Sequence, residues 1–296
     1  MTKRIALISE HASPLGILGG IDAGGQNVYV GQVAKNLAEA GYEVDVFTRR
    51  DSELLPETAE WLAGVRIVHV PAGPAEYVRK EDLLPLMPEF TANVLKFCRK
   101  QRRAYELIHA NFWTSGLVAC DIKRELGTPF VITFHALGRV RRQHQGDADG
   151  FPEERSTVED RVIAEADHII AECPQDEEDL IQLYNADPAK ITIVPCGFDP
   201  AEFFPISKAL ARVVLGIAPE ERIILQLGRL VPRKGVDNVI RGFARLVQRH
   251  NIGARLLIVG GESDEPDEEA TPEIARLREI ARAEGVEEDV QFVGRR

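Results

Sequence analysis

Arg4-Ile5-Ala6-Leu7-Ile8-Ser9, then Gly19-Gly20-Ile21-Asp22-Ala23-Gly24-Gly25-Gln26-Asn27-Val28-Tyr29-Val30, then Glu43-Val44-Asp45-Val46-Phe47-Thr48, is the stretch whose reading decides the fold. The outer segments are short runs dominated by apolar residues, and each reads as a strand. Between them Val30, Val33, Ala34 and Leu37 fall at i, i+3, i+4 and i+7, one face of a helix, and Gly41 supplies its stop. The order strand, glycine-rich loop, helix, strand predicts a doubly wound α/β unit with a parallel sheet.

Similar runs recur at 65–70, 107–110, 129–134, 168–171 and 191–194. Most lack apolar/polar alternation, as strands buried on both faces do. Pro195-Cys196-Gly197-Phe198-Asp199-Pro200 and Phe203-Phe204-Pro205 interrupt the rhythm with turn residues. It restarts with strands at 223–228, 256–259 and 290–293, and with helix faces marked by Val236, Val239, Ile240, Phe243 and Val247 and by Ile274, Leu277 and Ala281. This predicts a first domain over 1–200, a linker over 201–220 and a second, partial domain over 221–296. In the common doubly wound order the first strand is central. Here it would be an open apolar edge in a three-stranded remnant. The expectation is a piece of a longer chain; the alternative is a small domain covered by a partner.

The chain's 296 residues suit about two domains. A formal charge of -11 disfavours nucleic acid and anionic lipid as partners, so anion binding needs local basic groups. No run has the length of a secretory h-region or a membrane helix, which predicts no integral membrane contact. Cys98, Cys120, Cys173 and Cys196 form no C-x-x-C pair and match no zinc spacing. They read as reduced thiols of a cytoplasmic protein.

Three places carry candidate chemistry. The loop at 19–30 puts glycines before a helix start, where free N–H groups can meet a phosphate or sugar, or simply form a flexible turn. It is neither G-x-G-x-x-G nor a Walker A loop. Gly228-Arg229-Leu230-Val231-Pro232-Arg233-Lys234-Gly235 offers two cations, Arg229 and Lys234, beside a helix start, which suits a diphosphate. His135 stands at a strand end and is followed by Arg139, Arg141, Arg142 and His144. That cluster suits a phosphorylated substrate, or salt bridges to Asp147, Asp149 and Glu153. Asp147-Ala148-Asp149 spells D-x-D but lies in a loop with no strand before it, so it reads as solvated acid, not a metal site. In the acidic run 262–269, the first residue, Glu262, is the candidate to face a nucleotide.

Together, Gly-Gly-x-Asp-x-Gly-Gly-Gln-x-Val-Tyr-Val at 19–30, His135, the turn at 194–199 and Gly-Arg-Leu-x-x-x-Lys-Gly at 228–235 resemble glycosyltransferase family 4. The resemblance spans essentially the whole chain. It implies the GT-B fold, two Rossmann-like domains facing across a cleft, and a retaining hexosyltransferase that uses a nucleotide-sugar and no cofactor or metal. Within the family the 19–30 segment is most similar to members that act on sugar or cyclitol phosphates. The resemblance implies that Gly24, Gly25, Gly228, Arg229, Lys234 and Glu262 bind the donor. It implies catalytic roles for His135, Arg229 and Lys234, and acceptor contacts for Gln26, Lys80, Asn111, Arg139 and Arg161. Phe112 and Ala136 depart from the hydroxyl-bearing residues of those members, so the acceptor stays open. The family's E-x7-E motif is expected beyond residue 296. Two alternatives remain: a fragment that only binds its ligands, and a GT-B sugar-nucleotide epimerase.

Overall fold

A computed structural model describes residues 2–16 and 24–296, apart from the side chains of Asp147 and Arg233. The glycine loop before Gly24 lies outside the described residues. The described chain divides into two compact units, one ending at Gly197 and the other running from Phe198 to Arg296.

The first unit runs β1 (Arg4–Ile8), α1 (Gly25–Glu39), β2 (Glu43–Arg49), β3 (Thr58–Leu62), β4 (Val65–Val70), α2 (Met87–Lys100), β5 (Leu107–Asn111), α3 (Trp113–Leu126), β6 (Phe130–Thr133), α4 (Gly138–Gln145), α5 (Glu154–Glu165), β7 (His168–Ala171), α6 (Pro174–Tyr184) and β8 (Ile191–Ile193). The sheet order is β3-β4-β2-β1-β5-β6-β7-β8, parallel except for the β3–β4 pair. Side chains alternate across a strand. In β1, Ala6 and Ile8 join the core that holds Phe90, Trp113 and Phe130, while Ile5 and Leu7 join the core that holds Val30 and Ala34. Both faces are apolar because both are covered, which is why the sequence shows no alternation. On one covered face α3 and α5 pack so closely that a Cβ on Gly116 would lie 2.7 Å from Val162 Cγ1.

The second unit runs α7 (Lys208–Leu215), β9 (Ile223–Leu227), α8 (Val236–His250), β10 (Arg255–Val259), α9 (Glu273–Ala283) and β11 (Val290–Gly294). Its sheet is parallel in the order β11-β10-β9. As expected, β9 sits at an edge, with Leu225 and Leu227 exposed. A single core formed by Ile240, Phe243, Leu256, Ile258 and Leu277 joins α8 and α9 to the sheet.

Two elements are additions to the sequence reading. β3 is an antiparallel edge strand whose residues alternate between exposed and half-buried. α7 lies inside the stretch expected as linker. Ser207 caps its start by accepting from the Leu210 N–H, and Gly216 ends it in the left-handed region at φ +66°.

Candidate functional site

The strand order of the first unit reverses at β1, which pairs with β2 on one side and β5 on the other. Ligands of doubly wound sheets bind outside the strands' carboxyl ends at such a switch point. Asn111 ends β5, His135 lies two residues past β6, and Glu172 directly follows β7. The three meet. His135 Nε2 lies 3.1 Å from Asn111 Oδ1, and His135 Nδ1 lies 3.2 Å from Glu172 Oε1. Gln26, in the first turn of α1, donates to the Asn111 carbonyl at 3.3 Å and to the Ser9 hydroxyl at 3.2 Å. Gln26, Asn111 and His135, predicted from three distant segments, are thus brought together.

The backbone here is held in unusual conformations. Phe112 has φ +84° and His135 φ +59°, the left-handed region that non-glycine residues rarely enter. Such outliers persist only where the surroundings enforce them, and they cluster at functional sites. The Phe112 N–H donates to the Thr133 carbonyl at 2.9 Å, tying the two turns together.

Below His135 the site is polar and buried. Thr133 Oγ1 lies 2.9 Å from His109 Nε2 and 3.4 Å from the Tyr29 hydroxyl, and the Tyr29 ring meets His135 edge-on at 4.8 Å. Burial, helped by the nearby charge of His135, pushes His109 down to about 3 from an ordinary 6.5. Unfolded His109 takes up a proton below about pH 6.5, whereas folded His109 does not. Its contribution is therefore complete above that pH and is lost as pH falls towards 3. The unfolding free energy should drop by up to about 1.4 kcal/mol per pH unit there. Urea unfolding should show a shallower pH dependence in His109→Gln; identical slopes would refute the assignment.

Beside this group Glu10 is wholly buried after β1. It accepts from the Thr114 and Ser115 hydroxyls and lies 2.8 Å from His11 Nδ1. Burial alone would raise its pKa, but the charge and hydrogen bond of His11, with the two hydroxyls, hold it below the usual carboxylate range.

The predicted acceptor-side cations are spread out. Arg139 stacks on Tyr184 and is bound by Asp160 and the Leu183 carbonyl. Lys80 opens a short 3-10 turn and pairs with Glu81 at 3.2 Å. Arg161 lies on α5, with Nη2 2.8 Å from Asp121 and Nε 2.8 Å from Glu165. The cation nearest His135 by its contacts is Arg155. Its Nη2 donates to the carbonyl of Ala136, its Nε lies 2.8 Å from Glu159 Oε1, and its guanidinium lies 4.4 Å from the Phe151 ring and 5.1 Å from that of Phe112. Arg155 is 2% exposed, yet its Nη1 has no hydrogen-bond partner among the described residues. A buried donor left unpaired carries a desolvation cost, which an acceptor reaching it would relieve. Of the basic cluster after His135, Arg141 pairs with Asp149 at 3.0 Å, the salt-bridge alternative; Asp149 is therefore not a solvated acid.

In the second unit, β9 is followed directly by Gly228, whose φ is +149°. A Cβ on Gly260 would lie 2.1 Å from the Gly228 carbonyl oxygen, so the two strand ends approach closely only because Gly260 is glycine. Arg229 is half-buried, and Lys234 is exposed in the turn whose last residue, Gly235, caps α8. The Glu262 N–H donates to the buried Thr271 hydroxyl at 2.9 Å. In the first unit Gly24 caps α1, its N–H donating to Asn27 Oδ1 at 2.8 Å, and among the described residues nothing lies within 4 Å of a Cβ on Gly25.

Sequence reasoning missed Glu10, Arg155, Glu159 and Glu172. The signal for Glu172 was present, since it stands at a strand end as Asn111 does.

Comparison with known proteins gives a consistent result. The family description "Glycosyl transferase 4-like domain" matches residues 24–197, and "Glycosyl transferases group 1" matches residues 207–296. The D-inositol 3-phosphate glycosyltransferase of Actinosynnema mirum is 40% identical over 98% of this chain and 70% of its own length. D-inositol 3-phosphate glycosyltransferase 2 of Catenulispora acidiphila is 36% identical over 99% of this chain and 69% of its own. For the Kineococcus radiotolerans relative the shares are 88% and 61%, at 38% identity. Among solved structures, sucrose-phosphate synthase from Thermosynechococcus elongatus superposes with a TM-score of 0.86 at 32% identity, over 99% of this chain and 71% of that one. Anabaena HepE in complex with UDP and glucose superposes at 0.70 with 19% identity, over 99% and 70%, a likeness of fold.

Proposed function

Since the chain belongs to the glycosyltransferases, an enzyme family of GT-B fold, through its glycosyl transferase 4-like domain, we propose that it moves a hexose, with retention, from a nucleoside-diphosphate sugar to a hydroxyl of a sugar or cyclitol phosphate. The observation that carries this reading is the convergence of Gln26, Asn111 and His135 at the switch point of the first sheet. Polar groups at strand ends suit a polyhydroxylated ligand.

In this reading the Gly228–Gly235 turn handles the diphosphate. Departure of the diphosphate builds negative charge, and Arg229 and Lys234 meet it with preorganised positive charge. Gly24 and Gly25 offer N–H groups at the start of α1. Glu262 faces the nucleotide. No side chain acts as covalent nucleophile; a leaving phosphate oxygen takes the acceptor's proton on the same face. UDP is the first donor to test, because HepE was solved with UDP and glucose. A phosphorylated acceptor is supported by the names of the curated relatives and by the unpaired Nη1 of Arg155. Gln26, Lys80, Asn111, Arg139 and Arg161 remain acceptor-side candidates, and we add Arg155. The four cysteines are all free thiols, which fits a cytoplasmic setting, and among the described residues no helix is long and apolar enough to cross a membrane.

Thermal-shift titration with UDP-, GDP- and ADP-sugars tests the reading. One base class should raise the melting temperature, since ligand at a hundred times Kd adds about 2.7 kcal/mol. A protein indifferent to all three would sink it. Gly25→Ala gives a sharper check. The space that the described residues leave at Gly25 lets the fold accept the methyl within about 0.5 kcal/mol. The methyl would still hold a phosphate off the helix start, raising donor KM roughly tenfold, about 1.4 kcal/mol. Unchanged donor KM would remove Gly25 from the donor site.

A further inference from the structure

Glu172 is held by one oxygen only. Its Oε1 lies 3.2 Å from His135 Nδ1 and accepts from the Cys196 thiol at 3.2 Å. Its Oε2 has no partner among the described residues, and it is not one of the buried polar atoms left without one, so it faces solvent. The Glu172 backbone N–H donates to Asp176 Oδ2 at 3.1 Å, which fixes the residue at the head of α6. A carboxylate with one tied and one open oxygen at the carboxyl end of a sheet is a ready acceptor for ligand hydroxyls.

Its charge is balanced by geometry. Asn111 is 1% exposed, and its Nδ2 donates to the His109 carbonyl at 3.2 Å, so its Oδ1 is the atom turned to His135. Both ring nitrogens of His135 therefore face acceptors, Asn111 Oδ1 and Glu172 Oε1. Burial would raise the Glu172 carboxyl, but the hydrogen bond and charge of His135 bring it below the ordinary range. His109, Tyr29, Cys196 and Asp176 are other titratable groups around the pair.

We propose that Glu172 is a specificity-determining residue: its Oε2 accepts the hydroxyl hydrogen of the bound sugar, while its Oε1 holds the His135 ring in place. This rests on the reading of the strand-end site as a sugar site. It predicts that Glu172 selects among sugars that differ in one hydroxyl.

The test is a binding cycle, read by isothermal titration, with UDP-glucose and its monodeoxy analogues on the wild type, Glu172→Gln and Glu172→Asp. For one hydroxyl, Glu172→Gln should weaken UDP-glucose by roughly ten- to hundredfold, as expected for a charged hydrogen bond. It should leave the matching deoxy analogue unchanged. Glu172→Asp should recover part of the loss. Equal losses for every analogue would overturn this inference alone. A wild type that binds no nucleotide-sugar would overturn the functional reading as well.

Discussion

Lys234→Ala and Arg229→Ala should each lower kcat by about 10²–10³, the usual loss when one preorganised charge-stabilising group is removed. The argument is electrostatic. The diphosphate gains negative charge as the bond to the sugar breaks, so a cation fixed beside it is worth more in the transition state than in the bound donor. Lys234 is exposed in the turn before α8, so its removal costs the fold little, within about 0.5 kcal/mol. Steady-state kinetics with the stabilising nucleotide-sugar checks this, together with a melting curve for each variant. A kcat within twofold of wild type in both variants would take the diphosphate away from this turn. A rise in donor KM alone would mean that the two cations only bind.

Glu159→Ala should destabilise the first unit by about 3–5 kcal/mol, the cost of leaving one member of a buried ion pair alone. Glu159 is 0% exposed. It takes the Gly138 N–H at 3.0 Å, Arg155 Nε at 2.8 Å and the Tyr184 hydroxyl. Gly138 is required, because a Cβ there would lie 2.8 Å from Glu159 Oε2 and 2.9 Å from Arg155 Nε. Removing the carboxylate strands Arg155 among Phe112, Trp113 and Phe151 with Nη1 already unpaired. Denaturant unfolding should show the loss, and Arg155→Met added to Glu159→Ala should recover part of it. A single variant within 1 kcal/mol of wild type would mean that water already shares this site.

Much of the fold was legible because covered strands write themselves as unbroken apolar runs; Ile5 and Leu7 serve one core and Ala6 and Ile8 the other. β3 was not legible. Thr58, Glu60 and Leu62 are exposed, so the strand carries little apolar signal of its own and owes its place to pairing with β4. α7 escaped because its apolar residues, Leu210, Val213, Val214 and Leu215, are all exposed and stand among turn residues.

The candidate site divides the same way. His135 is found by asking which polar residues end strands, Asn111 comes only from the family resemblance, and the strand-end question applied to β7 yields Glu172. The buried cation is harder. α5 carries two Arg–Glu pairs at i, i+4, Arg155–Glu159 and Arg161–Glu165, and their spacing alone does not tell them apart. Only the packing of Gly138 and Phe151 against the first pair separates them. Arg155 is 2% exposed, whereas the side chain of Arg161 keeps about a third of its surface in solvent.

The most direct test of the whole account is product stereochemistry. The protein is incubated with the nucleotide-sugar that stabilises it and with a panel of sugar and cyclitol phosphates, and the product's anomeric proton is read by NMR. The account predicts release of nucleoside diphosphate that depends on a phosphorylated acceptor, and a glycoside with the donor's anomeric configuration. Release of free hexose alone, an inverted glycoside, or equal transfer to the dephosphorylated acceptor would contradict it.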